Sequence, residues 1–138
     1  CLINLQICLN YHMSKKCKIS IKNISIIVEL KKTETAKKIW DILPFQSKIN
    51  FWGKEIYFNC EIQVSLEKES KSVINYGEIV FWPSGSCIAI GYGKTPISID
   101  DEIRLADRCN VWGISNSNLN LLNYCSDGDT ILIEKINV

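Results

Sequence analysis

Glu55, Tyr57 and Asn59 stand two residues apart in K-E-I-Y-F-N-C-E-I-Q-V-S-L (54–66), where polar and apolar residues alternate from Glu55 onward. Alternate side chains of an extended chain share a face. The spacing therefore sets a carboxylate, a phenol and an amide in one row. Facing a groove, the row could hold a polar ligand, with Glu55 the candidate general base. Facing outward, the three residues are simply solvated.

Two loops offer further binding chemistry. In W-P-S-G (82–85), proline fixes φ, glycine relaxes it, and the Trp82 indole supplies a flat apolar surface with one N–H donor. The segment reads either as a rigid ligand wall or as a barrel corner with Trp82 in the core, and the corner is favoured. In G-Y-G-K-T-P (91–96), Gly91 and Gly93 flank Tyr92 and would let backbone approach a ligand. The phosphate-loop spacing is missing, so a bulge or tight turn is the simpler reading.

Asp100, Asp101 and Glu102 precede Arg104, but neighbouring side chains on an extended chain diverge, and a solvated loop fits them best. Asp127 and Asp129 flank Gly128 as in a hairpin turn and lack the alternating oxygen ligands of a calcium loop. The seven cysteines form no C-x-x-C pair, which leaves no metal-knuckle spacing. Cys60, Cys87 and Cys109 lie in apolar strand patterns, where a reduced thiol behaves as a small hydrophobe. A cysteine nucleophile needs a base, and the only histidine is His12, in the leader.

These residues need elements to position them. K-I-S-I-K-N-I-S-I-I-V-E-L (18–30) reads as a two-stranded hairpin turning near Asn23. Ala36, Ile39, Trp40 and Leu43 form one helical stripe, which places Trp40 in the core; Thr33 or Thr35 can cap the helix and Pro44 stops it. The run 54–66 reads as the longest strand. G-E-I-V-F-W, C-I-A-I-G-Y, C-N-V-W-G-I and T-I-L-I-E-K-I are short strands between turn signals. N-L-N-L-L-N-Y-C (118–125) fits one or two helical turns that pack Leu119, Leu122 and Tyr124. Regularly spaced short strands imply a closed or nearly closed β-barrel.

The 138 residues are 46% hydrophobic and 22% charged, a globular composition with room for one core. Sixteen basic residues against fifteen acidic give a net charge of +1, so no sequence-wide field favours nucleic acid or an anionic membrane. Residues 1–12 carry neither the early positive charge nor the cleavage site of a signal peptide. They are expected to be a leader or a mis-assigned start outside the fold. Reduced thiols and the ordinary start at Met13 suggest a cytoplasmic protein.

The order of T-A-K-K-I-W-D-I-L-P, W-G-K-E-I-Y-F (52–58), Y-G-E-I-V-F-W-P-S-G-S-C-I-A-I-G-Y-G-K-T-P and D-G-D-T-I-L-I-E-K-I resembles the cyclophilin-like family of small bacterial and archaeal proteins, from about Ile19 to Ile136. The resemblance implies a single cyclophilin-like β-barrel domain over 13–138, with one three-turn helix and a second short one. The fold carries no activity with it. The arginine, aromatic, glutamine and histidine constellation of a prolyl-isomerase pocket cannot be placed on these residues, since Arg104 and Arg108 are the only arginines and the domain after Met13 contains no histidine.

The function expected is a small-molecule- or peptide-binding domain with no identified reaction. Its groove would be lined by Tyr57, Trp82, Tyr92 and Thr95, with polar contacts from Glu55 and Asn110. No cofactor and no metal is called for. A prolyl isomerase with an atypical pocket, or an accessory subunit of an amide-hydrolysing enzyme, is the enzymatic alternative. A homo-oligomer that buries the aromatics is the structural one.

Overall fold

Cys17, Ile19 and Ile21 alternate with Lys16, Lys18 and Ser20, and in the computed structural model, which describes residues 15–136, the apolar three are buried along β1 (Lys16–Ile21). Lys22, at φ +54°, and Asn23 turn the chain into β2 (Ile24–Leu30). Helix α1 (Glu34–Asp41) follows, and the Thr33 hydroxyl caps it by accepting from Ala36 N at 3.1 Å. Ala36, Ile39 and Leu43 are buried as the stripe requires. Trp40 departs from it: the ring is half-buried at the edge of the core, with the ammonium groups of Lys15 and Lys135 at 5.2 and 4.9 Å from its centroid.

The remaining strands are β3 (Phe45–Lys48), β4 (Asn50–Phe51), β5 (Glu55–Asn59), β6 (Lys71–Ile74), β7 (Glu78–Trp82), β8 (Cys87–Gly91), β9 (Ile103–Ile114) and β10 (Thr130–Ile136). They form an antiparallel sheet in the order β3-β10-β1-β2-β9-β7-β8-β5-β4. The two ends of this path, β3 and β4, are separated in sequence by Ile49 alone, so the sheet curls into a nearly closed barrel. A short 3-10 helix (Leu119–Tyr124) buries Leu119 and Leu122 against the barrel core. Tyr124, expected to pack with them, is 77% exposed.

The long run at 54–66 is strand only as far as Asn59. Its ladder partner β8 begins at Cys87, opposite Asn59, and the pairing ends one residue later, where Cys60 N donates to Ser86 O at 2.9 Å. Cys60 and Ile62 still dip into the core, whereas Leu66 lies in solvent. The same alternation is thus produced by ladder and by irregular extended chain.

Packing is two-sided. Ile56, Phe58, Ile79, Phe81, Ile88, Ile90 and Trp112 fill the barrel, while Val80, Ala89, Cys109 and Val111 on the opposite face meet Ile74, Ile103 and Leu105 in a second cluster. The first half of β9 makes that second layer. It leaves the barrel sheet and pairs with β6, with Lys71 opposite Cys109 and Val73 opposite Arg104. The single residue Ser72 of β6 thus faces four of β9, residues 105–108, which form a bulge. The expected leader, residues 1–12, lies outside the described residues. Among the described residues, no helix is long and apolar enough to cross a membrane.

Candidate functional site

The β9 bulge and the outer face of the barrel sheet enclose a half-open cleft of about 190 Å³. Strand parity builds its floor. Tyr57 lies opposite Ala89, Ala89 opposite Val80, and Cys87 opposite Trp82, so Glu55, Tyr57, Ala89, Cys87 and Trp82 share the face turned away from the barrel interior. Leu105, Ala106 and Asp107 of the bulge form the facing wall with Cys109, and Trp52 closes one end from the β4–β5 turn. Trp82 Nε1 donates to Asp107 Oδ2 at 3.2 Å, which ties floor to wall.

Glu55 is the charged group at the base of the cleft. It is only 6% exposed, and among the described residues its Oε1 has no hydrogen-bond partner. Burial raises its pKa from the usual 4.5 to about 7, because a desolvated carboxylate is penalised relative to the neutral acid. The two thiols of the lining are held protonated: burial, then the Glu55 charge, raises Cys87, and burial pushes Cys109 up to about 12, with smaller contributions from Glu55, Asp107 and Cys87. Neither is a thiolate at neutral pH, so neither is an activated nucleophile. Among the described residues, no group of three or more His, Cys, Asp or Glu side chains could hold a metal ion.

Of the six residues singled out in the sequence, Glu55, Tyr57 and Trp82 meet in this cleft; Tyr92, Thr95 and Asn110 do not. Tyr92 continues the phase of Ile88 and Ile90, which points it into the barrel core, where its hydroxyl donates to Asn123 Oδ1 at 3.1 Å. Thr95 is a loop fastener whose hydroxyl donates to the Arg104 carbonyl and whose N–H donates to Ser98 Oγ at 2.9 Å. Asn110 stands opposite the core residue Phe81 and is fully buried. Its Nδ2 donates to Thr35 Oγ1 and Ser65 O at 3.0 and 2.9 Å, and its Oδ1 accepts from Glu67 N at 2.8 Å. These three residues hold the fold.

Trp52, Leu105, Asp107 and the two thiols were missed. Trp52 sits in W-G-K-E-I-Y-F, three residues before Glu55, so its proximity was available from the motif. Leu105, Asp107 and Cys109 depend on the bulge, for which no sequence signal exists, whereas Cys87 reaches the floor through the parity of β8. Neither arginine lines the cleft: Arg104 Nε donates to Glu102 Oε1 at 2.6 Å and an Arg108 guanidinium nitrogen to Ser70 O at 3.0 Å.

The family model described as Cyclophilin-like matches residues 15–134. The solution structure of a hypothetical protein from Archaeoglobus fulgidus superposes with a TM-score of 0.76 at 36% identity, covering 89% of this chain and 95% of that one. None of the curated proteins matches the chain.

Proposed function

The chain belongs to the cyclophilin-like family, and on that premise we propose that it is a binding module whose cleft receives a small molecule or one side chain of a bound peptide. The observation that carries this reading is the composition of the cleft. Trp52, Tyr57 and Trp82 wall an apolar floor, and one buried carboxylate oxygen, Glu55 Oε1, lacks a partner. Aromatic walls with few polar anchors are the usual make-up of a small-ligand site. An unpaired buried polar group costs about 1–3 kcal/mol; among the described residues Ser70 Oγ and the core Trp112 Nε1 share that state, and Glu55 Oε1 is the one that belongs to the cleft lining.

The test is a fragment screen on the full chain followed by the backbone and indole N–H resonances. Binding should concentrate its shifts on Trp52, Tyr57, Trp82 and Leu105, and Trp82→Ala should abolish it. Hits that all map elsewhere, or that survive Trp82→Ala unchanged, would reject the cleft as the site.

A further inference from the structure

We infer that the ligand of this cleft is an organic cation, an alkylammonium or quaternary ammonium head carried on a short apolar stem. The inference rests on the binding reading above and adds the charge of the ligand. The lining contains two carboxylates, Glu55 and Asp107, and among the described residues no lysine, arginine or histidine. Arg108 is held on Ser70 O, and the Lys54 methylenes lie against the position of Gly93.

The two acids differ in their engagement. Asp107 already accepts from Trp82 Nε1 and from Arg108 N at 2.8 Å. Glu55 Oε1 accepts from no donor among the described residues and is out of solvent. A buried carboxylate without a donor is costly until a cation or donor reaches it. Asp107 holds the Trp82 N–H, which leaves the indole ring as what Trp82 can offer a ligand. Ring surfaces from Trp52, Tyr57 and Trp82 attract a cation through their negative faces and shed an anion. The remaining lining, Leu105, Ala106, Ala89 and the protonated thiols of Cys87 and Cys109, suits an apolar stem. At about 190 Å³ the cleft accepts a head group of a few heavy atoms.

Ionisation of Glu55 sets the pH response. The titratable groups around it are Asp107, Tyr57, Cys87 and Cys109, and burial has raised the glutamate to about 7. Cation affinity should therefore rise as pH increases through neutrality, by about tenfold from pH 6 to pH 8.

The experiment compares choline with its neutral carbon isostere, 3,3-dimethylbutan-1-ol, by the indole N–H shifts of Trp52 and Trp82, with core Trp112 as internal control. Choline should bind about tenfold or more tightly than the isostere. Glu55→Gln should remove that preference while leaving isostere binding in place. Acetyl-trimethyllysine amide in the same titration separates a polypeptide-borne cation, which it should match or exceed in affinity relative to choline, from a free one, which it should not. Equal affinities for choline and isostere, or a preference unchanged by Glu55→Gln, overturn the cation inference and leave the cleft a neutral binding site. No shift at Trp52 or Trp82 with any of the three overturns the cleft reading itself. Should Glu55→Gln fail to fold, the choline–isostere comparison and its pH dependence on the unaltered chain decide the matter.

Discussion

Trp82 and Asp107 are joined by a 3.2 Å hydrogen bond from the indole Nε1 to a carboxylate oxygen, across the gap between the barrel sheet and the β9 bulge. The bond fixes the ring in the cleft floor and occupies its only donor. Behind the ring lies Gly85, where a Cβ would come within 2.7 Å of the Trp82 ring atom Cδ2 and closer still to its neighbours. The glycine is required because the indole occupies the space a side chain would take.

Gly85→Ala should accordingly push the Trp82 ring outward and break its bond to Asp107. The fold should survive, since Trp82 is half-buried, with a loss of about 1–3 kcal/mol typical of overpacking. A shifted Trp82 indole N–H resonance with Trp112 unmoved is the expected signature. An unchanged Trp82 resonance would show that the ring is not confined there.

Glu55 makes stability fall as pH rises. Between the usual value of 4.5 and about 7 the folded chain keeps a proton on Glu55 that the unfolded chain releases. The folded state binds more protons in that window, so unfolding free energy decreases with pH across it, by about 3 kcal/mol at most. The term is fully present below about pH 4.5 and lost above about pH 7. Glu55→Gln lacks it, so the variant should gain on the parent between about pH 5 and about pH 8. Denaturant unfolding at a series of pH values measures this, and a flat difference would place the Glu55 pKa near its ordinary value.

Asn110→Ala should cost about 2–4 kcal/mol, because it strips partners from the Glu67 N–H, the Ser65 carbonyl and the Thr35 hydroxyl at a buried site. Chemical denaturation checks the loss. Ligand shifts in the cleft should be unaltered, which distinguishes this packing residue from a binding one.

Isomerisation of a prolyl peptide should not exceed its uncatalysed rate in the presence of the chain. Weakening the double-bond character of that amide calls for a cation or donor placed at it, and both arginines are held outside the cleft by Glu102 and Ser70. A protease-coupled assay measures the rate. Turnover abolished by Arg104→Ala or Arg108→Ala would restore the isomerase reading.

Much of the barrel was legible in the sequence. The β1–β2 hairpin, α1 with its threonine cap, β7, β8 and β10 all follow from alternation, stripe and turn residues, which are local properties of the chain. Parity within a strand was legible too: Tyr92 falls in phase with the barrel residues Ile88 and Ile90, and Asn110 in phase with Trp112. Following those phases would have removed both from the groove.

Which face of β5 meets a cleft was decided elsewhere. An alternating strand has a polar face whether that face is solvated or covered, and nothing within 54–66 records what lies above it. The cover is the first half of β9, brought there because β6 pairs with it in a shifted register and forces residues 105–108 to bulge. In sequence, Asp100, Asp101 and Glu102 read as a solvated loop; in the structure Ile103 and Leu105 just after them are buried while Ala106, Asp107 and Arg108 are exposed. The residue types on the floor were therefore set by local pattern, Glu55, Tyr57 and Trp82 among them. That they become one cleft, with a buried carboxylate and two tryptophans in its lining, follows from a strand pairing between segments some thirty residues apart.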